Sequence, residues 1–442
     1  MSAREYVFTY GKGTVRFNLD SALVASELSI QDYPPIENPL VAIREAIRNP
    51  IQSKPLKEIV EPGQKVAFLV NDSTRVANSH VFMPILLDEL NSVGIPDKDM
   101  FIIFAVGAHR ELHEQEMASL VGPDITRRVE MFNSNAKDPT QFQYLGTTSR
   151  GNEIYFHKRA VEANHVVCTG SIVYHFFAGF GGGRKALLPG VAAYDTICRN
   201  HALMLEPGAG LGKLSGNPVY EDQIEGTKML RPSFLLNVVL NEKKDFLKIF
   251  AGDYIQAHLQ GCEFVEQIYG TEIPQPADLV IASCGGYPKD INVYQLQKTM
   301  DNAWLAVREG GVVIILGECC EGVGSEEYLQ WMKEYKTPER IEEKIRSDFV
   351  VGGHKAYAVT RLMKKAQFIL ISGLEPALAR TLLFTPAKNM NEALALAWDK
   401  VGPHPRVILM PQGSLTVPIW KKVKSSEFGV RSQKPEFGKR NY

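Results

Sequence analysis

Three histidines, two basic residues and a glycine-rich run carry most of the reactive potential of this sequence. His109 lies in Gly107-Ala-His-Arg110, and His175 closes Thr169-Gly-Ser-Ile-Val-Tyr-His175. An imidazole titrates near neutral pH, so either one can take or give a proton under physiological conditions. Arg75, at the end of Asn71-Asp-Ser-Thr-Arg75, offers a planar fork that grips a carboxylate through two parallel bonds. The run Ala178-Gly-Phe-Gly-Gly-Gly-Arg-Lys-Ala-Leu-Leu-Pro-Gly190 sets Gly181, Gly182 and Gly183 directly before Arg184 and Lys185. Glycines let a backbone approach a ligand and turn its N–H groups toward phosphate; a flexible surface loop is the alternative. The run is neither a GxxxxGK[ST] P-loop nor a GxGxxG fingerprint, since Arg184 stands where a spaced glycine belongs. His201, ending Tyr194-Asp-Thr-Ile-Cys-Arg-Asn-His201, is by itself either a structural imidazole or a metal ligand. Tyr294, Gln295 and Lys298 are spaced to share one helix face at the positive end of the helix dipole. A cation and an amide there suit an anion, although a plain exposed helix start has the same spacing.

The elements that must hold these residues read as α/β. After an opening hairpin over residues 6–19, short apolar strands are expected at 65–70, 100–106 and 163–168, with helices at 81–93 and 111–120 between them. Strands alternating with helices build a mostly parallel sheet, and ligands then bind at the carboxyl ends of its strands. The runs with Arg75, His109 and His175 all follow such ends. A second series begins near Ala277, with strands at 278–283, 311–316 and 368–372 and helices at 293–308, 325–347, 354–366 and 389–400. Pro274-Gln-Pro276 is a plausible boundary between an N-terminal unit of residues 1–270 and a C-terminal unit of 275–400. The tail from about 405 to 442, with a strand at 407–410, is expected to return to the first unit.

At 442 residues the chain is long enough for two cores. A net charge of −1 offers no field for nucleic acid or an anionic membrane, so any anion must be held by a local cluster. No run approaches the ~20 apolar residues that span a bilayer, and the first residues carry no secretory h-region. Cys168, Cys198, Cys262, Cys284, Cys319 and Cys320 form no CxxC pair or disulfide framework. That usage fits the cytoplasm, and the adjacent Cys319 and Cys320 read as bystander thiols before a soft metal site.

Taken together, Asp72-Ser-Thr-Arg75, Gly107-Ala-His-Arg110, the stretch from Tyr174 to Gly190, Arg199-Asn-His201 and Tyr294-Gln-Leu-Gln-Lys298 resemble the lactate racemase family. Gly352-Gly-His-Lys-Ala-Tyr357 is also similar to it. The resemblance implies two α/β units, each with a mostly parallel sheet flanked by helices, and an active site in the cleft between them. It implies a nickel-pincer nucleotide, a pyridinium-3-thioamide-5-thiocarboxylic acid mononucleotide carrying nickel, attached covalently at Lys185. Asp72 and Gly181–Gly183 would line that cofactor and His201 would be the metal's protein ligand. His109 and His175 match the two acid–base positions; Arg75, Tyr294, Gln295 and Lys298 match substrate-contacting ones. Cofactor-synthesis enzymes would be needed as activating partners.

The reaction so implied inverts C2 of a small 2-hydroxy acid. Removing the C2 hydrogen as hydride gives a planar 2-oxo acid, and returning it to the other face gives the other configuration. One base per enantiomer accounts for two histidines. Val76 after Arg75 and Tyr174 before His175 depart from the proline the family often has there, which bears on the substrate. His80, Tyr174 and Tyr357 read as packing residues first and selectors of the C3 substituent second. Two other classes remain open: a nicotinamide-dependent 2-hydroxy-acid dehydrogenase, which lacks its GxGxxG here, and a non-catalytic nickel or nucleotide carrier.

Overall fold

A computed structural model describes residues 3–350 and 352–420. Each of the two parallel series forms a six-stranded sheet. The first runs in the order Phe246–Gly252, Phe234–Leu240, His165–Ser171, Val66–Asn71, Met100–Ala105, Glu130–Asn133. All its neighbours are parallel except the pair Phe234–Leu240 and Phe246–Gly252. Val66–Val70 and Val166–Ser171 are buried on both faces, as continuous apolar strands under helices on either side must be. Chain order reverses across Val66–Asn71: later strands add on one side through Met100–Ala105 and on the other through His165–Ser171. Such a switch leaves a crevice at the strands' carboxyl ends, and Asp72, His109 and His175 follow those three ends.

The second sheet is ordered Thr385–Ala387, Gln367–Ile371, Val307–Leu316, Ala277–Ser283, Val407–Met410, Val24–Glu27, parallel throughout. Its own reversal lies beside Ala277–Ser283, which leads into the helix Val293–Ala306. Asn292 caps that helix, accepting from the Gln295 N–H at 3.0 Å and satisfying one of its free donors.

Strand and helix positions follow the sequence pattern closely, but two connections do not. Val407–Met410 inserts into the second sheet instead of returning to the first, and Val417–Trp420 pairs with Gly270–Ile273. Residues 421–442 of the expected tail lie outside the described residues. The opening hairpin, Ala3–Tyr10 with Gly13–Asp20, also joins the second unit: Tyr6, Phe8, Phe17 and Leu19 pack against Leu279, Ile281 and Ile314. Edge capping by a distant strand has no local signature, because Val24-Ala-Ser-Glu27 pairs across more than 370 residues of chain.

The units share a core at their junction. Phe177, Ala178, Met204 and Val219 of the first lie in one apolar cluster with Val293, Leu296, Tyr328 and Trp331 of the second. Arg361 donates to the Phe176 carbonyl at 3.4 Å and Arg346 to that of Leu205 at 3.2 Å, while Lys289 pairs with Glu242.

Candidate active site

His109 is fixed by Asp72. Its Nδ1 lies 2.5 Å from the Asp72 carboxylate, which also accepts from the Thr74 hydroxyl at 2.7 Å and the Thr74 N–H at 3.1 Å. Burial alone would raise the Asp72 carboxyl, but the bonds from His109 and Thr74 outweigh it and hold the group below its ordinary value. An Nδ1–H given to a carboxylate leaves Nε2 of His109 as the free lone pair. Asp72, expected against the cofactor, is therefore engaged with a histidine in this structure.

His175 is held the opposite way. The Ala178 N–H points at its Nδ1 at 3.4 Å, so the neutral ring carries its proton on Nε2. The ring stacks on Phe176 at 5.2 Å and meets Phe177 edge-on at 4.6 Å. Burial, and then the charges of Lys185 and Arg75, depress its pKa well below the ordinary value and keep it neutral.

Phe177 is the hub of the site. Besides His175 it touches the His201 ring at 5.0 Å, and the Lys185 Nζ sits 5.6 Å over its face. His201 is 9% exposed, at the end of the helix Tyr194–Ala202; among the described residues its Nδ1 makes no hydrogen bond of good geometry, and the Ile197 backbone is the polar group that acts on the ring. Burial and the neighbouring Lys185 and His354 keep this imidazole neutral, the form in which it ligates metals. Lys185 is likewise pushed far down, by burial first and then by Arg184 and Arg75. A half-buried amine short of charge beside a neutral imidazole fits a group tethered at Lys185 with a soft divalent metal against His201.

The glycine run seats that lysine by packing, not by presenting a cradle. The Gly181 N–H bonds the Val173 carbonyl at 2.7 Å and the Gly183 N–H bonds the Asn237 side chain at 2.7 Å, so both donors turn inward. Gly182 and Gly183 have φ of +72° and +56°, and a Cβ at Gly183 would stand 2.6 Å from the His258 ring. Arg184 is 1% exposed and has no carboxylate partner among the described residues; it donates to the Ala178 carbonyl at 2.6 Å and to Gln223 at 3.1 Å, with Tyr220 under its guanidinium at 4.6 Å.

Residues 10–212 match the model of the lactate racemase N-terminal domain, and residues 273–417 that of the C-terminal domain. The chain is 33% identical over 413 residues to the lactate racemase of Thermoanaerobacterium thermosaccharolyticum, an overlap of 91% of this chain and 96% of that protein. It belongs to the lactate racemase family. A second family member, the lactate racemase of Lactiplantibacillus plantarum, is 31% identical over 414 residues, covering 91% of this chain and 97% of its own length. The structure of the T. thermosaccharolyticum lactate racemase apoprotein superposes with a TM-score of 0.84 at 32% identity, over 94% of this chain and all of that one. A Thermotoga maritima protein with a TM-score of 0.62 and 18% identity shares the fold, over 88% of this chain and all of its own.

For this member of the lactate racemase family, the second unit supplies the facing wall. Lys298 donates to Gln295 Oε1 at 3.2 Å, as the shared helix face requires, with Tyr294 half exposed beside them. Arg75 is exposed, with its Nη1 on the Thr74 carbonyl at 3.1 Å. Its charge reaches His175, Lys185 and Lys298. His354 and Lys355 complete the wall, and sequence reasoning gave them no role although their run stood out. The His354 ring lies 6.4 Å from Phe177 and 6.5 Å from Phe176. Tyr174 stacks on Phe180 at 4.8 Å and Tyr357 is buried, so both pack; His80 is exposed. Cys319 is buried and Cys320 exposed, and no group of three metal-ligating side chains occurs among the described residues. No helix among them is long and apolar enough to cross a membrane.

Proposed function

We propose that the chain is a 2-hydroxy-acid racemase or epimerase, lactate or a related 2-hydroxy carboxylate being inverted at C2 through a 2-oxo acid. The observation that carries this reading is the opposite fixing of two histidines, His109 by Asp72 and His175 by the Ala178 N–H, around Lys185 and His201. Lys185 would tether a nickel-pincer nucleotide and His201 would hold its metal; when bound, that group supplies reversible acceptance of the C2 hydrogen as hydride. Arg75 binds the substrate carboxylate in its fork, with Gln295 and Lys298 adding an amide and a charge across the cleft. His109, with Nε2 unprotonated, takes the hydroxyl proton of one enantiomer, and the 2-oxo acid then turns its other face. His175, entering this direction of turnover as the imidazolium, returns its Nε2 proton to the carbonyl oxygen as the C–H bond re-forms and is left as the neutral ring. The reverse turnover exchanges these two roles. The aromatic walls of Phe176 and Phe177 keep water from the 2-oxo acid, so it remains bound until it is reduced.

Cofactor-synthesis enzymes supply the tethered group in this proposal, and the cytoplasm, where scattered thiols persist, is where loading would occur. The test is inversion of a panel of enantiopure 2-hydroxy acids by cofactor-loaded protein, followed by polarimetry or chiral chromatography. Interconversion without net oxidation is expected. Stoichiometric NADH formation, or no inversion of any member, would overturn the proposal.

A further inference from the structure

Among the described residues Lys355 forms no salt bridge, although it lies half-buried in the wall of the site. Its Nζ rests 3.7 Å from the centre of the Tyr294 ring and 5.9 Å from that of Phe176, the residue stacked on His175. Two aromatic faces hold a cation in place without cancelling its charge. Among the described residues no carboxylate comes within 4.0 Å of Lys355, nor of Arg75, Lys185 or Lys298. The acid that acts on it, Asp301, is buried and stands 3.8 Å from Arg361, which itself crosses to the Phe176 carbonyl. Lys355 lies in the first turn of the helix His354–Met363, and its ammonium sits over Tyr294, one helical turn before Lys298, within electrostatic reach of Lys298 and Arg75.

We infer that Lys355 is an anion-contacting residue of this site, taking an oxyanion brought by the ligands, a carboxylate or a phosphate, together with Lys298 and Arg75. The inference rests on the proposed function, because it concerns ligands of that cleft. It adds a contact from a second stretch of the second unit that neither the motif spacing nor the acid–base pair requires. The electrostatics agree with the geometry. Burial lowers the ammonium to about 7; Asp301 pulls it up, while Lys298 and Arg75 push it further down. An arriving oxyanion reverses that balance and fixes the proton on Nζ. The two sources of such an oxyanion, an acidic group of the substrate and the phosphate of a bound nucleotide, leave different signatures.

The test compares cofactor-loaded wild type, K355M and K355R. Two quantities are read: KM and kcat for lactate and for malate, and the nickel content and intact-mass adduct of each protein. If the substrate supplies the oxyanion, K355M raises KM by about tenfold or more with kcat nearly unchanged, for malate alone if the second carboxylate is the one held. If the nucleotide supplies it, K355M instead loses nickel and the mass adduct under the same loading conditions. In both cases K355R restores most of the loss, because a guanidinium still meets the oxyanion. Unchanged KM with full loading in K355M, or a loss that K355R fails to restore, overturns the inference. If K355M does not fold, K355Q keeps the stem's packing on Tyr294 and takes its place in both readouts. Should loaded wild type invert neither acid, KM and kcat are read on the member of the 2-hydroxy-acid panel that it does invert; should it invert none, the proposed function falls, and a K355M that loads nickel and adduct like wild type then overturns the inference as well.

Discussion

In the proposed mechanism Asp72 and Ala178 act on reactivity without touching a reacting atom, because each decides which nitrogen of a histidine carries the proton. The 2.5 Å contact from Asp72 to His109 Nδ1 sets Nε2 free as a base and stabilises the imidazolium formed on proton uptake. D72N keeps the shape and removes the charge, so kcat should fall by roughly tenfold or more while the Lys185 adduct stays complete. Equal kcat in D72N and wild type would take Asp72 out of the mechanism. Replacing His109 or His175 by Ala should each lower the rate in both directions by about 10²–10⁴, since every turnover uses both. A variant impaired in only one direction of net conversion would contradict the paired role.

At the scale of elements, the glycine run positions Lys185 through steric contacts with the helix Gln256–Tyr269 and the strand Phe234–Leu240. His258 Nε2 donates to the Gly181 carbonyl at 2.9 Å, and its ring closes the space at Gly183. G183A must therefore displace His258 and strain a backbone at φ +56°, which should cost about 1–3 kcal/mol and reduce covalent loading. Thermal melting and the intact mass check both; a G183A protein that melts and loads like wild type would refute the packing role. Sequence reading reached the elements themselves because apolar runs of strand length and helical periodicity are local. It reached the carboxyl-end rim for the same reason: Arg75, His109 and His175 follow those runs directly. It could not reach His258 or Asn237, which meet the loop from 74 and 54 residues away. Nor could it tell that the N–H groups of Gly181 and Gly183 turn inward, since glycine spacing is the same for a cradle and for a tight pack. Lys355 stood in a noticed run, but only the aromatic faces of Tyr294 and Phe176 show where it points.

Over the whole molecule, buried neutral histidines make the fold sensitive to acid. Burial, with Arg159 adding to it, pulls His157 down to about 4, and burial with Arg184 pulls His258 down to about 3. Both folded values lie below the unfolded one near 6.5, so the unfolded chain binds protons first as the pH falls. Stability is complete above about pH 6.5 and declines toward the folded pKa, by about 2 kcal/mol per histidine at pH 5. Tm should therefore drop between pH 7 and pH 5, and H157Q should drop less. Identical slopes for H157Q and wild type would contradict this account. The second sheet is completed by chain from both ends, with Val24–Glu27 at one edge and Val407–Met410 beside it. The two cleft walls are thus joined through Phe177 and Val293 in one core and through the contact of Arg361 with Phe176. All of this geometry serves one claim, that the hydrogen on C2 leaves and returns with its electron pair and never mixes with water. The direct test is to give cofactor-loaded protein a 2-hydroxy acid deuterated at C2, in ordinary water, and to follow the label by mass spectrometry as the enantiomers interconvert. The account predicts that the inverted product keeps its deuterium. Replacement by solvent hydrogen in step with inversion would contradict it.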